Sequence, residues 1–202
     1  MESVETNPTT APSGGSGGGQ RRRRSDAQRN VVALLDAAKS VFARTGVDAP
    51  AKEITDLAGV GVGTLYRHFP RRSDLILAVM QHEIDACAGA AATLSSEHDP
   101  WDALTLWIGR LTALVGTKQG LASALHSGDP AFDDLPRSIM EQLEPALGAL
   151  LDAARADGSV KAEIAPAEVV LTVALLCQPV RGETPTFTER MIRIFVEGLR
   201  SR

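Results

Sequence analysis

Apolar residues recur along this chain at the three- and four-residue spacing of amphipathic helices, and no segment alternates convincingly with the period of two that is typical of strands. The first stripe predicts a long helix that begins near Asp26 and stops at Gly46, because glycine readily takes the left-handed conformation that ends a helix. Pro50 then fits the first turn of a second helix. The stripe comprises Val31, Leu34, Leu35, Ala38, Val41 and Phe42.

Further stripes fill the second half of the chain and predict an all-α fold. Gly116 and Gly120 are expected to interrupt the helix that starts at Asp99. Pro145 is expected to kink or break a later helix near Leu143. The predicted helices begin near Ser73, Asp99, Leu121, Leu135, Pro166 and Thr184.

The stretch between the first and fourth helices, Ile54–Phe69, has the pattern of two short helices around a glycine turn. Gly59 is suited to ending the first helix and Gly61 to capping the second, so the stretch predicts a helix-turn-helix. The inward positions are Ile54, Leu57 and Ala58, then Val62, Leu65 and Phe69. The outward set of the second helix is small, polar and basic, which suits a DNA groove: Gly63, Thr64, Arg67 and His68.

The net charge of −4 conceals an asymmetry along the chain. Residues 20–72 hold 11 Lys and Arg against 5 Asp and Glu, whereas residues 81–202 hold 10 against 17. Binding of a polyanion therefore belongs to the first third. Residues 1–20 are rich in Gly, Ser, Thr and Pro and are expected to be disordered. Arg21–Arg24 form either a solvated charge run or an arm that grips phosphates.

Catalytic and metal-site patterns are missing from the sequence. The glycines of residues 59–63 lack the GxGxxG spacing of a dinucleotide loop, and a predicted helix rather than a strand precedes them. The four histidines show no metal-ligand spacing with the cysteines, so no metal or cofactor is expected. Ser123, His126 and Asp129 lie close together without the surroundings of a nucleophile elbow, so an enzyme is not expected.

The sequence predicts a cytoplasmic location. No apolar run approaches the ~18 residues of a membrane span, and the first residues do not resemble a secretion signal. Cys87 and Cys177 are far apart in sequence and fall on apolar helical faces, which predicts buried thiols in a reducing cytoplasm.

The last two predicted helices are apolar on more than one side. In the final helix, Phe187, Met191, Ile194 and Phe195 lie on one face, and a second apolar set consists of Ile192, Val196 and Leu199. One apolar face of such a helix packs on the core of its own domain, and the other must be buried against a partner. We interpret these two helices as a homodimer interface, with packing in the core alone as the alternative.

The run from Arg29 to Leu77, and above all AGVGVGTLYRHFPRRSDL, resembles the DNA-binding domain of TetR-family transcriptional regulators over about a quarter of the chain. The resemblance implies an all-α homodimer that binds double-stranded DNA at an inverted repeat. Its domains would be a disordered arm (residues 1–25), a helix-turn-helix domain (26–72) and a helical domain for effector binding and dimerisation (73–202).

The resemblance also implies roles for individual residues. Gly63 and Thr64 would approach bases and adjacent phosphates, and Arg67 would reach base edges. Phosphate contacts are expected from Lys52, Tyr66, His68 and Arg72. The chain departs from the family at Gly61, where Ser or Thr is common, and at residues 49–51, which lack the usual hydroxyl.

The working hypothesis is a repressor released by a small, mostly apolar effector. Candidates for the effector site lie between the helices of the second domain: Trp101, Trp107, His126, Met140 and Gln178. The alternative is a DNA-binding regulator whose C-terminal domain only dimerises or binds a protein partner. A second domain without a cavity of roughly 300 Å³ would favour that alternative.

Overall fold

The computed structural model describes residues 17–182 and 184–200, and the side chains of residues 26–182, 184 and 186–200. This part of the chain is helical with no strand, which confirms the all-α prediction. One isolated antiparallel bridge joins Val160 and Arg200. The helices are α1 (Gly17–Thr45), α2 (Ala51–Ala58), α3 (Val62–His68), α4 (Arg72–Glu97), α5 (Pro100–Gly120), α6 (Ala122–Leu125), α7 (Leu135–Ala156), α8 (Pro166–Leu176) and α9 (Pro185–Leu199), with a 3₁₀ turn at Pro130–Phe132.

The first three helices and the start of α4 share a small apolar core. α1 packs against α2 and α4, and α2 packs against α3. Burying this set removes the apolar stripe of α1 from water, which stabilises three helices that are too short or too polar to persist alone. The buried side chains include Leu34, Ala38, Val41, Phe42, Ile54, Leu65 and Phe69.

Two of the inward positions expected in the helix-turn-helix are wrong. Leu57 is 53% exposed and Val62 is 39% exposed. On α2, Thr55 takes a buried place instead, next to the fully buried Ile54. Thr55 tolerates burial because its hydroxyl donates a 3.1 Å hydrogen bond to the Lys52 carbonyl, so no polar group is left unpaired.

The first helix begins earlier than the expected start near Asp26. Its backbone is helical from Gly17, so residues 17–25 of the arm that was expected to be disordered form part of α1. Arginine and glutamine are good helix formers, and four arginines follow Gln20, which favours this extension. The expectation for residues 1–16 and for the arginine side chains lies outside the described residues.

Helix α4 connects the two halves of the molecule. It contacts α1 on one side and packs against α5 and α7 further along. Its first turn is held by Asp74, whose carboxylate accepts a 2.9 Å hydrogen bond from the backbone N–H of Arg71. The helix starts at Arg72, one residue before the predicted start at Ser73, and Ser73 is buried inside its first turn.

Among the described residues, α4 is also the one helix that is long and apolar enough to cross a membrane by length and composition. Length and composition are weak evidence for a span, since the core helix of a globular protein meets the same criterion. Buried side chains recur along α4 from Leu75 to Leu94, as they do in the core helix of a globular protein.

The helices are not broken at Gly116 or at Pro145. α5 continues through Gly116 and ends only at Gly120, because the neighbouring Leu114 and Val115 are buried and offset the low helix propensity of glycine. α7 continues through Pro145. Pro145 lies on the exposed side of the helix, where water can satisfy the carbonyl that its missing N–H leaves unpaired.

Candidate functional site

The turn between α2 and α3 is built around two glycines with different conformations. Gly59 has a φ of 69°, and the N–H of Val60 donates a 3.0 Å hydrogen bond back to the Thr55 carbonyl. Gly61 is extended, and its carbonyl accepts a 2.8 Å hydrogen bond from Thr64 N–H. The left-handed residue and the extended residue together reverse the chain within three residues. The second helix therefore starts immediately after the turn.

Helix α3 presents a polar and basic face to solvent. Leu65 and Phe69 are buried and hold the helix on the core, as the sequence predicts. Gly63, Tyr66, Arg67 and His68 are exposed, and Thr64 is half-buried. Among the described residues, no carboxylate forms an ion pair with Arg67.

Gly63 has no internal structural reason to be glycine. It lies in the first turn of α3 with an ordinary helical conformation, and a Cβ atom added there would meet no other atom within 4 Å. Glycine costs helix stability relative to alanine at such a position. A close approach by another molecule would explain its presence.

Lys52 on α2 is exposed and pairs with Asp56 one turn later, with 2.6 Å between Nζ and the carboxylate. An exposed pair of this kind contributes little to stability. Lys52 is therefore available to exchange its carboxylate partner for a phosphate.

Arg72 does not have the geometry expected of a phosphate contact. Its guanidinium donates from Nε to the Val47 carbonyl at 2.7 Å and from Nη2 to the Ala49 carbonyl at 2.6 Å. The same group lies over the Phe42 ring, 4.8 Å from its centroid. Burial lowers the pKa of Arg72 from its ordinary value. Arg72 thus clamps the α1–α2 turn to the start of α4 through Nε and Nη2, and its contact with phosphate stays a prediction.

The second domain contains a cavity of about 220 Å³ bounded by α4–α8. Of the predicted effector contacts, His126 and Gln178 line it, whereas Trp101, Trp107 and Met140 do not. The remaining lining residues are Met80, Leu111, Leu114, Val115, Lys118, Gln119, Ala122, Ile139, Leu143, Val170 and Ala174. Its volume is below the roughly 300 Å³ expected of a site for a drug-sized ligand.

The two tryptophans have structural surroundings instead. Trp107 is fully buried, and its Nε1 donates a 2.8 Å hydrogen bond to the Cys87 carbonyl. Trp101 lies beneath the guanidinium of Arg200, 5.0 Å from the ring centroid. This contact joins the start of α5 to the end of α9. Both rings therefore pack within the protein, and neither lines this cavity.

Lys118 and Gln119 line the cavity but were not singled out from the sequence. A signal for Lys118 was present, since it lies seven residues after Leu111 and therefore on the same face of α5. Gln119 also borders a neighbouring cleft of about 380 Å³ between α5, the α8–α9 connection and α9. Its side-chain amide donates a hydrogen bond to the Cys177 carbonyl.

The single turn of α6 lies between this cavity and the DNA-binding domain. Ala122 and His126 line the cavity. Ser123 and Ser127 border a cleft on the other side, together with Asp48 of the α1–α2 turn. The first residues of α4 border the same cleft. A movement of α6 would therefore change surfaces in both domains.

The two cysteines are free and buried. Burial raises the pKa of the Cys87 thiol to about 11 and also raises that of Cys177. Both thiols are consequently protonated at neutral pH and poor nucleophiles. Among the residues that the structure describes, no group of three His, Cys, Asp or Glu side chains could hold a metal ion.

Large apolar side chains remain exposed on the last two helices. Leu171 and Leu175 lie one turn apart on α8, and Leu175 is 71% exposed. On α9, Ile192, Val196 and Leu199 are buried, whereas Ile194 is 59% exposed. Exposed leucines one turn apart form the kind of apolar surface that an interface covers.

Comparison with known protein families links both halves of the chain to the same class. Residues 34–79 match the family model for bacterial regulatory proteins of the tetR family. Residues 99–201 match the model for the C-terminal domain of SbtR-like transcriptional regulators. The second match covers half of the chain and every helix after α4.

Individual proteins show the same similarity. The chain is 26% identical over 170 residues to the HTH-type transcriptional repressor KstR of Mycobacterium tuberculosis, covering 78% of this chain and 76% of that protein. A TetR regulatory protein of Mycobacterium vanbaalenii is 30% identical with a TM-score of 0.73, and covers 89% of this chain and 99% of its own. TetR transcriptional regulator SCO0520 of Streptomyces coelicolor is 33% identical with a TM-score of 0.70, with coverages of 84% and 98%.

Proposed function

The chain belongs to the TetR family of transcriptional regulators, and on that premise we propose that it is a homodimeric repressor released from its operator by a small, mostly apolar effector. Regulators of this family bind DNA operators and act as dimers. Repression is suggested by the similarity to KstR, which is a repressor by name. The exposed basic face of α3 carries the DNA-binding part of the proposal.

In this proposal, α3 enters the major groove. Arg67 and Thr64 read base edges, while Tyr66, His68 and Lys52 contact phosphates. Gly63 allows the start of the helix to approach the DNA closely. A two-fold dimer then places its two α3 helices in successive major grooves, roughly 34 to 36 Å apart, on an inverted repeat.

In this proposal, a movement of α6 causes release of the protein from its operator. An occupant of the cavity would press on Ala122 and His126, and the same turn carries Ser123 and Ser127 against the DNA-binding domain. A ligand shifts the equilibrium only by its differential affinity for the two arrangements. A coupling of roughly 1 to 3 kcal/mol is enough to lower operator affinity between about 5- and 150-fold.

The modest volume of the cavity is compatible with a small effector. Gln119 borders both the cavity and the larger neighbouring cleft. Taken alone, the 220 Å³ cavity falls short of the criterion of roughly 300 Å³ and favours the dimerisation-only alternative. The cavity and the 380 Å³ cleft together exceed that volume, and the effector-binding function is proposed on this combined space.

Selection of genomic fragments by the purified full-length protein, followed by a compound screen on the resulting complex, tests the whole proposal. Enrichment of a common inverted repeat and its release by one class of compounds are expected. Enrichment of a repeat with no release by any apolar compound would instead favour the dimerisation-only alternative. A protein that enriches no sequence would contradict the DNA-binding role of α3.

Replacing Arg67 by alanine is expected to relax sequence preference. A good contact to a base edge discriminates against the wrong base by about 1 to 3 kcal/mol, and the dimer loses this contact in both half-sites. Affinity for the selected operator should therefore fall roughly 30-fold or more. Affinity for random DNA should change much less. Lys52→Ala is the matched control, since loss of a phosphate contact weakens both affinities alike. Fluorescence anisotropy on both DNAs measures the two ratios, and equal losses for Arg67→Ala would remove it from base reading.

Substitution of Gly63 by alanine is expected to raise the stability of the protein and to weaken its binding to the operator. The added methyl meets no atom of the protein and raises helix propensity, so the free energy of unfolding should increase by about 0.5 kcal/mol. The same methyl should obstruct close approach to DNA and weaken operator binding. Thermal unfolding and anisotropy are the measurements. Unchanged operator affinity in Gly63→Ala would mean that α3 does not approach DNA at this residue.

A further inference from the structure

The cavity of the second domain has an apolar interior and a polar end. Along α5, Leu111, Leu114 and Val115 line it first, and Lys118 and Gln119 follow at the end of the helix. The same order holds at α8, because Val170 and Ala174 lie in the helix and Gln178 follows its C-terminal end.

The hydrogen bond from Gln119 to the Cys177 carbonyl brings the C-terminal ends of these two helices together. The polar residues of the lining are therefore gathered at one end. That end is the more open one, since Lys118 and Gln119 are half-buried and His126 and Gln178 are exposed. An occupant would thus have an apolar body and a polar group that faces outward.

The charge of the lining has one sign. Lys118 and His126 are the ionisable residues among those that line the cavity, and both are basic. Among the residues that the structure describes, no carboxylate lines it to pair with an amine or other cation. Transfer of a charged group into such a site is costly unless an opposite charge meets it, so the lining disfavours cationic ligands and favours anionic ones.

The polar side chains around Lys118 already have partners within the protein. Gln119 donates to the Cys177 carbonyl, and Gln178 donates to the Ala174 carbonyl at 3.1 Å. The Nδ1 atom of His126 lies 2.8 Å from the Ala122 carbonyl oxygen. These contacts occupy carbonyls at the ends of α6 and α8 that would otherwise repel an anion.

Lys118 differs from these neighbours. In the described part of the chain, its ammonium forms no ion pair and no side-chain hydrogen bond. Lysine carries three donors and a full charge. It is the cationic donor at this end of the cavity that retains its capacity to bind a ligand.

We propose that the cavity binds a small amphipathic organic acid, with the aliphatic part among Leu111, Leu143 and Val170 and the carboxylate on the Lys118 ammonium. This inference rests on the proposed function, because it names the chemical class of the effector. It extends that proposal by excluding cationic apolar molecules, which many hydrophobic cavities accept. Binding of the acid brings its head group beside His126 on α6, the turn that also faces the DNA-binding domain.

Isothermal titration calorimetry of the full-length protein at neutral pH tests the charge preference directly. The probes are octanoate, octanamide and octylamine, which share one tail and differ in the head group. A charge-assisted contact predicts that octanoate binds about tenfold more tightly than octanamide and that octylamine binds most weakly. Equal affinity for octanoate and octanamide, tighter binding of octylamine, or no binding of any acid from butanoate to decanoate would overturn the proposal.

Lys118→Gln then assigns the preference to one residue. The variant should bind octanoate and octanamide within about twofold of each other, whereas Lys161→Gln, which removes an exposed lysine outside the cavity, should keep the tenfold preference. Retention of the preference in Lys118→Gln would overturn the assignment.

Operator binding by the same proteins is measured without acid. Intact operator binding without any acid preference rejects this ligand class alone, and absent operator binding rejects the regulator proposal separately.

Discussion

Replacing Leu175 by arginine is expected to convert the proposed dimer into monomers and to lower operator affinity by about 100-fold or more. Leu175 is the most exposed of the large apolar side chains of α8 and α9. In a two-fold interface each substitution occurs twice, and an unpaired buried charge costs several kcal/mol. A monomer holds one half-site only, so it loses the gain in affinity from binding both half-sites together. Analytical ultracentrifugation and anisotropy on the selected operator measure the two effects.

Leu106→Arg provides the matched control for this prediction. Leu106 is also a large exposed leucine, 46% exposed, but it lies on α5 rather than on the last two helices. The control variant should remain dimeric and bind operator normally. Dissociation of Leu106→Arg together with an intact Leu175→Arg dimer would move the interface from α8 and α9 to the exposed face of α5.

Replacing Arg72 by alanine should reduce the free energy of unfolding by about 2 to 4 kcal/mol. The guanidinium holds the carbonyls of Val47 and Ala49, residues that are themselves buried, and hydrogen bonds from a charged donor contribute about 1.5 to 3 kcal/mol each. Half-exposure of Arg72 and access of water after truncation keep the total below the sum of two such bonds. The stacking on Phe42 is lost as well. Chemical denaturation followed by circular dichroism measures the change.

The neighbouring Arg71 separates this structural role from the loss of a positive charge. Arg71 is also an arginine at the start of α4, but its side chain is exposed, and within the described part of the chain its one ion-pair partner is Asp74. Arg71→Ala should therefore lower stability by a small fraction of the Arg72→Ala effect. Comparable stability of the two variants, with a specific loss of DNA affinity in Arg72→Ala, would restore the phosphate-binding role that the contacts of Arg72 argue against.

The organisation of the chain into helices was readable from the sequence because it depends on local spacing. Apolar positions three and four residues apart, together with glycine at turns, located the helix-turn-helix and the helices after it. The family resemblance rested on contiguous residues of α2 and α3. The sequence-based prediction was wrong where a single residue had to be placed on the buried or the exposed face of its helix. Leu57 and Val62 continue an apolar pattern but face solvent, while Thr55 is buried.

The same limit applies to Arg72 and the tryptophans. From the sequence, Arg72 is one more basic residue beside a DNA-binding motif, and Trp107 is one more aromatic candidate for an effector site. Their partners are Val47, Ala49 and Cys87, which lie 20 or more residues away along the chain. Whether a polar group is free or already satisfied depends on such contacts, and no local pattern encodes them.

By itself, the sequence of this protein determined the helical fold, the position of the DNA-binding motif and the family, because periodicity, turn residues and contiguous motifs are properties of neighbouring residues. The tertiary structure alone decided that Arg72 is a clamp, that the cavity lies between His126, Gln178 and Lys118, and that α6 faces both domains. These facts depend on which helices meet, and helix packing brings together residues from α4 to α8 whose separation in sequence hides their proximity.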